Sequence, residues 1–111
     1  MQTVEFQLDD RILEFVSSLG DVNEIVRFAL KRYSTDEILK RIEPLKCSIM
    51  KWEAKYGMSY DQFHAKVIDD QAFLRQLHQA HPMWEADFLE WVSQQQEFNQ
   101  WMKQLESILK S

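Results

Sequence analysis

The sequence predicts a mainly α-helical protein that carries one short strand near its N-terminus. Only two glycines and two prolines occur among its 111 residues, which leaves little material for hairpins or long loops. Apolar residues recur at every third or fourth position along most of the chain, as on the buried face of a helix. The single alternating run lies at residues 3–8, and a period of two is typical of a half-buried strand.

The predicted strand is expected to pair with the same strand of a second chain. A lone strand exposes unpaired backbone N–H and C=O groups, and an identical copy is the simplest partner for them. We therefore predict a homodimer. Two sets of side chains alternate along the strand: Val4, Phe6 and Leu8 would form the dimer core, whereas Thr3, Glu5 and Gln7 would face outward.

Two short amphipathic helices follow the strand. Asp9 is placed to cap the first helix, and Gly20 is placed to end it. Asp21 and Glu24 have the spacing of a capping box for the second helix. The apolar stripe of that helix runs as far as Tyr33, so we predict an N-terminal unit over residues 1–34.

This order of one strand and two helices resembles the ribbon-helix-helix fold, in which two chains pair their strands above four interlocked helices. In that family the paired ribbon enters the DNA major groove, and its outward side chains contact base edges. The resemblance implies that Thr3, Glu5 and Gln7 contact DNA. A solvated ribbon face is the alternative, because Glu5 repels phosphate and few cations lie nearby.

The remaining residues, 35–111, predict a helical extension. Ser34 and Glu37 have capping-box spacing, which favours a new helix over 35–56 with a kink or restart at Pro44. Gly57 is placed to end this helix, and Ser59 and Gln62 have capping-box spacing for the next. A second helical stretch is therefore expected over 59–80, where Asp69 and Asp70 interrupt the apolar stripe. The last helix is expected over 82–109.

The segment KYGMSYDQF at residues 55–63 is similar to the helix-turn-helix join of small bacterial and archaeal antitoxin-like proteins. That likeness implies an antitoxin of a type II toxin–antitoxin system, which would neutralise a toxin with its C-terminal helices and autoregulate by binding operator DNA. Two alternatives remain open. One is a dimeric helical structural or adaptor protein, and the other is a transcriptional regulator without a toxin partner.

The last predicted helix carries a broad aromatic stripe that could bind a partner. Tryptophan is enriched at the centres of protein interfaces, but such a stripe is also common in helical cores. Both interpretations stay open at this point. The candidate partner-binding residues are Trp84, Phe88, Trp91, Phe98 and Trp101.

Composition argues against several other classes of protein. The net charge of −5 is unlike that of a polybasic nucleic-acid surface. His78 and His81 lack further placed ligands, and Cys47 has no cysteine to pair with. We therefore predict no enzyme activity, catalytic residue, metal site or cofactor, and we expect a cytoplasmic protein without a membrane span.

Overall fold

The computed structural model describes Glu5 and residues 7–111, and five α-helices account for most of them. The mainly helical fold class is confirmed. No strand occurs in this part of the chain. The helices are α1 (Asp10–Leu19), α2 (Val22–Tyr56), α3 (Tyr60–Asp69), α4 (Gln71–Ala80) and α5 (Trp84–Lys110).

The predicted N-terminal strand is not seen at the described positions. Glu5, Gln7 and Leu8 have no regular secondary structure. Thr3, Val4 and Phe6 lie outside the described residues. A strand is held by hydrogen bonds to a neighbouring strand, and the described part of this single chain supplies no such neighbour.

Most of the predicted helix ends are confirmed by their hydrogen bonds. Asp9 and Asp21 cap α1 and α2, because their carboxylates accept the backbone N–H groups of Arg11 and Asn23 at 2.9 and 2.8 Å. Gly57 ends α2 in the left-handed conformation, with φ 72°, and its N–H donates to the carbonyl of Glu53 at 2.8 Å. At the start of α3, Ser59 and Gln62 form both bonds of the predicted capping box.

The predicted helix boundary at Ser34 was wrong, since α2 continues through it for 35 residues. The hydroxyl of Thr35 donates to the carbonyl of Lys31 at 2.8 Å, a bond within a continuing helix. What changes here is the side of the helix that is apolar. At about 100° per residue, the stripe that ends at Tyr33 and the one that begins at Ile38 lie roughly 140° apart.

Pro44 lies inside α2 and does not interrupt it, so of the two predicted outcomes, a kink or a restart, the restart does not occur. A proline lacks the N–H that would bond to the carbonyl four residues earlier, which is that of Lys40. Both residues are exposed, so water can satisfy this carbonyl. Packing of Ile42 and Ile49 on either side of the proline holds the helix in place.

The expected interruption near Asp69 and Asp70 separates α3 from α4. Asp70 ends one helix by donating its N–H to the carbonyl of Lys66, and it caps the next by accepting the N–H of Phe73 at 3.0 Å. His81 ends α4, and α5 begins at Trp84, two residues after the predicted start at Pro82.

The fold is organised by the antiparallel pair of α2 and α5. α3 and α4 fold over one end of this pair and complete the hydrophobic core there. The core cluster contains Ile49 of α2, Phe63 of α3, Leu77 of α4, and Trp84 and Trp91 of α5. α1 contacts the opposite end of α2 and contributes no buried residue.

The chain is elongated, with principal extents of 68 × 25 × 18 Å. Its radius of gyration is 22.1 Å, compared with about 13 Å for a compact domain of this length. No helix in the described part of the chain is long and apolar enough to span a membrane. So extended a monomer exposes much of its helical surface.

Replacing Pro44 with alanine is expected to stabilise the protein. Pro44→Ala restores the missing N–H and its bond to the carbonyl of Lys40, within a helix that is already formed. We expect the free energy of unfolding to rise by about 1–3 kcal/mol, measured by urea denaturation. The exposed Glu43→Ala serves as the control. An unchanged or lower stability of Pro44→Ala would show that α2 needs the proline.

Candidate interaction surfaces

The apolar stripe of α5 is covered along its first half. Trp84 and Trp91 have only 7% and 0% of their surface exposed. The rings of Phe63 and Trp91 are centred 5.3 Å apart, and those of Tyr60 and Trp91 are centred 5.7 Å apart. The aromatic cluster at this end of the molecule is therefore its core.

The five candidate partner-binding residues are distributed unequally between core and surface. Trp84 and Trp91 are buried, so they have no surface to offer a partner. Phe88 and Phe98 are half-buried and pack against the core cluster. Trp101 is half-buried, and the guanidinium of Arg41 lies 5.4 Å from its ring centroid. The structure therefore places these residues mainly in the interior.

The second half of the stripe has no covering layer in the described chain. The α5 members of the core cluster and its surrounding shell end at Phe98. Beyond it, Met102 and Leu109 are 42% and 56% exposed, and Leu105 is half-buried. These three residues, which we call the bare α5 face, line a shallow hollow of about 440 Å³ together with Lys103, Glu106 and Lys110.

A second exposed apolar surface lies on the N-terminal helices. We call it the back face, because most of its α2 residues point away from α5, with Leu30 at its edge beside Ile108 and Ser111 of the α5 end. Val16, Val22 and Ile25 between the two helices are only half-buried. The exposed members of the back face are Ile12, Leu13, Phe15, Leu19, Leu30 and Tyr33.

Polar contacts connect α2 and α5 along one edge of their seam. The indole N–H of Trp52 donates to the side chain of Gln94 at 2.7 Å. The ammonium of Lys55 donates to Asp87 at 2.5 Å. With Trp101 beneath Arg41, the α5 residues of this polar edge lie at positions 87, 94 and 101, seven residues apart. This spacing keeps them on one side of a helix in a paired arrangement.

Charge also favours this pairing of helices. α2 contains eight Lys and Arg residues against five Asp and Glu, a net charge of +3. α5 contains two basic residues against five acidic ones, a net charge of −3. Opposite charges on adjacent helices attract each other over several ångströms, although exposed charges are screened by salt.

Asp87 is the most strongly held carboxylate of the polar edge. The hydrogen bond from Lys55, and then the bond from the Tyr56 hydroxyl at 2.6 Å, lower the pKa of Asp87 below its usual value. Burial, and then the bond to this carboxylate, raise the pKa of the Tyr56 phenol. Tyr56 therefore stays protonated as a donor, and Asp87 stays ionised as an acceptor.

Two buried indoles differ in how their N–H groups are satisfied. Trp84 donates to Nδ1 of His78 at 3.1 Å, which gives that histidine a structural role. The N–H of Trp91 has no hydrogen-bond partner, and its ring is surrounded by aromatic rings. Aromatic faces can accept an N–H weakly, so Trp91 fits its site as a packing residue.

The residues predicted to contact DNA are not brought together in the described structure. Glu5 and Gln7 are exposed and lie outside any helix, and Thr3 lies outside the described residues. Of the predicted dimer core, Leu8 is half-buried, whereas Val4 and Phe6 lie outside the described residues. Within the described chain, no group of three or more His, Cys, Asp and Glu side chains could hold a metal ion.

Two features of these surfaces escaped the sequence interpretation. The polar residue that bonds across the seam is Gln94, and the neighbouring Gln95 instead bonds to Asn99 on its own helix. Asp87, Gln94 and Trp101 are spaced seven residues apart, and this spacing was the signal in the sequence that could have identified Gln94. The residues of the bare α5 face belonged to the predicted stripe. The sequence alone does not show how much of that stripe α3 and α4 cover.

Comparison of the chain with protein-family models, with curated proteins and with solved structures found no match. Functional inference therefore depends on the surfaces described above.

The ionised state of Asp87 is expected to make stability depend on pH. Its pKa is lower in the folded chain, so its contribution is complete above the unfolded value of about 3.9 and is lost as the pH falls through the lower folded value. Asp87→Asn should reduce the free energy of unfolding by about 1 kcal/mol at pH 7, and by progressively less below pH ~4.

Urea denaturation between pH 3 and pH 7 measures this difference. Asp36→Asn, an exposed change on α2, is the control for a general effect of charge. A difference between Asp87→Asn and wild type that is constant with pH would show that the carboxylate charge contributes nothing.

Proposed function

We propose that this protein is an antitoxin-like binding protein that neutralises a toxin by stoichiometric occlusion, using the C-terminal part of α5. The proposal depends on one observation: the apolar stripe of α5 extends beyond the part that α3 and α4 cover. Trp84 and Trp91 are buried within the chain, whereas Met102 and Leu109 are exposed. An apolar face that is covered at one end and bare at the other is typical of a surface that binds a second protein.

The bare α5 face replaces the aromatic anchors as the centre of the proposed site. Leucine and methionine side chains fill apolar pockets, and methionine adapts to irregular surfaces. Lys103, Glu106 and Lys110 form a charged rim around the three apolar side chains. An apolar centre with a charged rim is the usual anatomy of a protein interface.

The proposal retains a homodimer formed through the N-terminal unit, with operator binding by Thr3, Glu5 and Gln7. The exposed, non-helical placement of Glu5 and Gln7 is compatible with contact to another molecule. Asp9 and Asp10 lie close by and would weaken binding to phosphate.

A dimeric helical adaptor without a toxin partner is the second candidate function. It is favoured by the burial of Trp84 and Trp91, because the two residues best suited to anchor a partner lie in the core and cannot contact one. Both functions share the bare α5 face as a binding surface. They differ in whether binding by this chain suppresses the activity of a neighbouring gene product.

The antitoxin proposal predicts rescue of growth. The small reading frame adjacent to the gene of this protein is expressed from one inducible promoter, and this protein is expressed from another. Arrest caused by the neighbour should be relieved by the wild-type chain. Met102→Glu combined with Leu109→Glu places charges on the bare α5 face, and should weaken toxin binding at least about tenfold and abolish relief.

The matched control for rescue is Leu89→Glu. Leu89 is 71% exposed on the first half of α5, so its replacement adds a charge without touching the bare α5 face, and it should still relieve the arrest. Absence of arrest would contradict the antitoxin proposal, and equal relief by the double variant would contradict the bare α5 face as its binding site. Arrest that no form of the chain relieves would favour the adaptor.

Operator binding predicts a selective effect of Gln7→Ala. Loss of a bidentate contact to a base should weaken binding to DNA upstream of the gene by about 1–3 kcal/mol, with affinity falling steeply as salt rises. Fluorescence anisotropy measures both, and Gln79→Ala on α4 is the control. Equally weak binding to any duplex would contradict sequence-specific recognition.

A further inference from the structure

The described residues of the chain do not give the back face sufficient cover. α1 contains ten residues and no buried side chain. An isolated helix of this length is marginal in water, so its stability must come from packing. Val16, the most covered apolar residue of the α1 stripe, is only half-buried against α2.

Most of the back face points away from α5. Tyr33 lies about 140° around α2 from Ile38, a buried residue that packs toward α5. Leu30 lies only about 80° from Ile38 and lines a hollow with Ile108 and Ser111 of the α5 end. α5 therefore reaches the edge of the back face at Leu30, and it leaves the side at Tyr33 and α1 uncovered in the described chain.

The size of the back face suits a dimer interface. Its six large apolar side chains are between 40% and 65% exposed. At 150–250 Å² for a large side chain, they expose on the order of 600 Å². A standard interface buries about 800 Å² per partner, and residues at the rim of the patch would supply the remainder.

The charges around the back face allow a contact between copies. The segment from Asp9 to Leu19 has three acidic residues, Asp9, Asp10 and Glu14, against Arg11. On α2, Arg27 and Lys31 line the hollow beside the α5 end, and Lys31 donates to the backbone carbonyl of Ser111 at 3.0 Å. Arg32 is left on the side of α2 away from α5. In a two-fold arrangement, Arg32 of each chain can lie against the acidic α1 of the other.

We propose that the back face is the surface on which a second copy of this chain docks. The dimer is held by helix packing of Phe15, Leu19 and Tyr33 with their counterparts, and does not depend on paired strands. The proposal refines the dimer of the proposed function and rests on it only for the statement that dimerisation occurs. Because α5 lies on the other side of α2, each chain in the dimer keeps its bare α5 face free.

Sedimentation velocity of the full chain tests the interface. The wild type should have twice the chain mass of 13.4 kDa at micromolar concentration. Phe15→Glu and Tyr33→Glu should each raise the dimer dissociation constant at least about 100-fold. Ile68→Glu, at an equally exposed site on α3, should remain dimeric. A monomeric wild type, or dimeric Phe15→Glu and Tyr33→Glu variants, would overturn the proposal.

Hydrogen exchange of the wild type tests the same interface without a substitution, in case a charged variant fails to fold. Amides of α1 and residues 22–33 should lose protection on dilution below the dissociation constant, whereas those of α5 should not change. Protection of α1 that is independent of concentration would overturn the proposal.

Dimerisation through paired N-terminal strands would reverse which variants become monomeric. If Phe6→Glu alone produced monomers while Phe15→Glu did not, strand pairing and not the back face would hold the dimer. The two proposals also fail separately. Loss of rescue with an intact dimer would point to the toxin site, whereas monomers that still rescue would leave the antitoxin function in place.

Discussion

The antiparallel packing of α2 against α5 is the interaction on which the rest of the structure depends. Ile38, Ile42 and Ile49 are buried along the α2 side of this seam. α3 and α4 have a core only because they close over the end of the pair, where Trp91 becomes fully buried. Without the seam, the short helices would each lack enough buried surface to be stable.

The two edges of the seam are chemically different. One edge is fixed by polar contacts at Asp87, Gln94 and Trp101, which set the register of the two helices. The other edge is apolar and is covered by α3 and α4 over half of its length. Directional contacts on one side leave the other side available for apolar packing, which α3 and α4 supply over the first half of α5.

Much of the helical architecture could be predicted from local chemistry, because caps act over three or four residues. Asp9, Asp21, Gly57 and Ser59 identified helix ends that the structure confirms. The false boundary at Ser34 arose because a capping-box pattern coincided with a change of apolar face, and a single sequence cannot distinguish a new helix from a rotated stripe. The division of α5 into covered and bare halves depends on the reach of α3 and α4, which is a tertiary property.

The change of apolar face within α2 makes that helix a rotational spacer between two exposed apolar surfaces, the back face and the bare α5 face. Their relative direction is set by the number of residues between Tyr33 and Ile38. One inserted residue would turn the bare α5 face by about 100° relative to the back face, whereas seven would turn it by only about 20°. Length variation in this segment would therefore alter how the two surfaces are oriented without altering either of them.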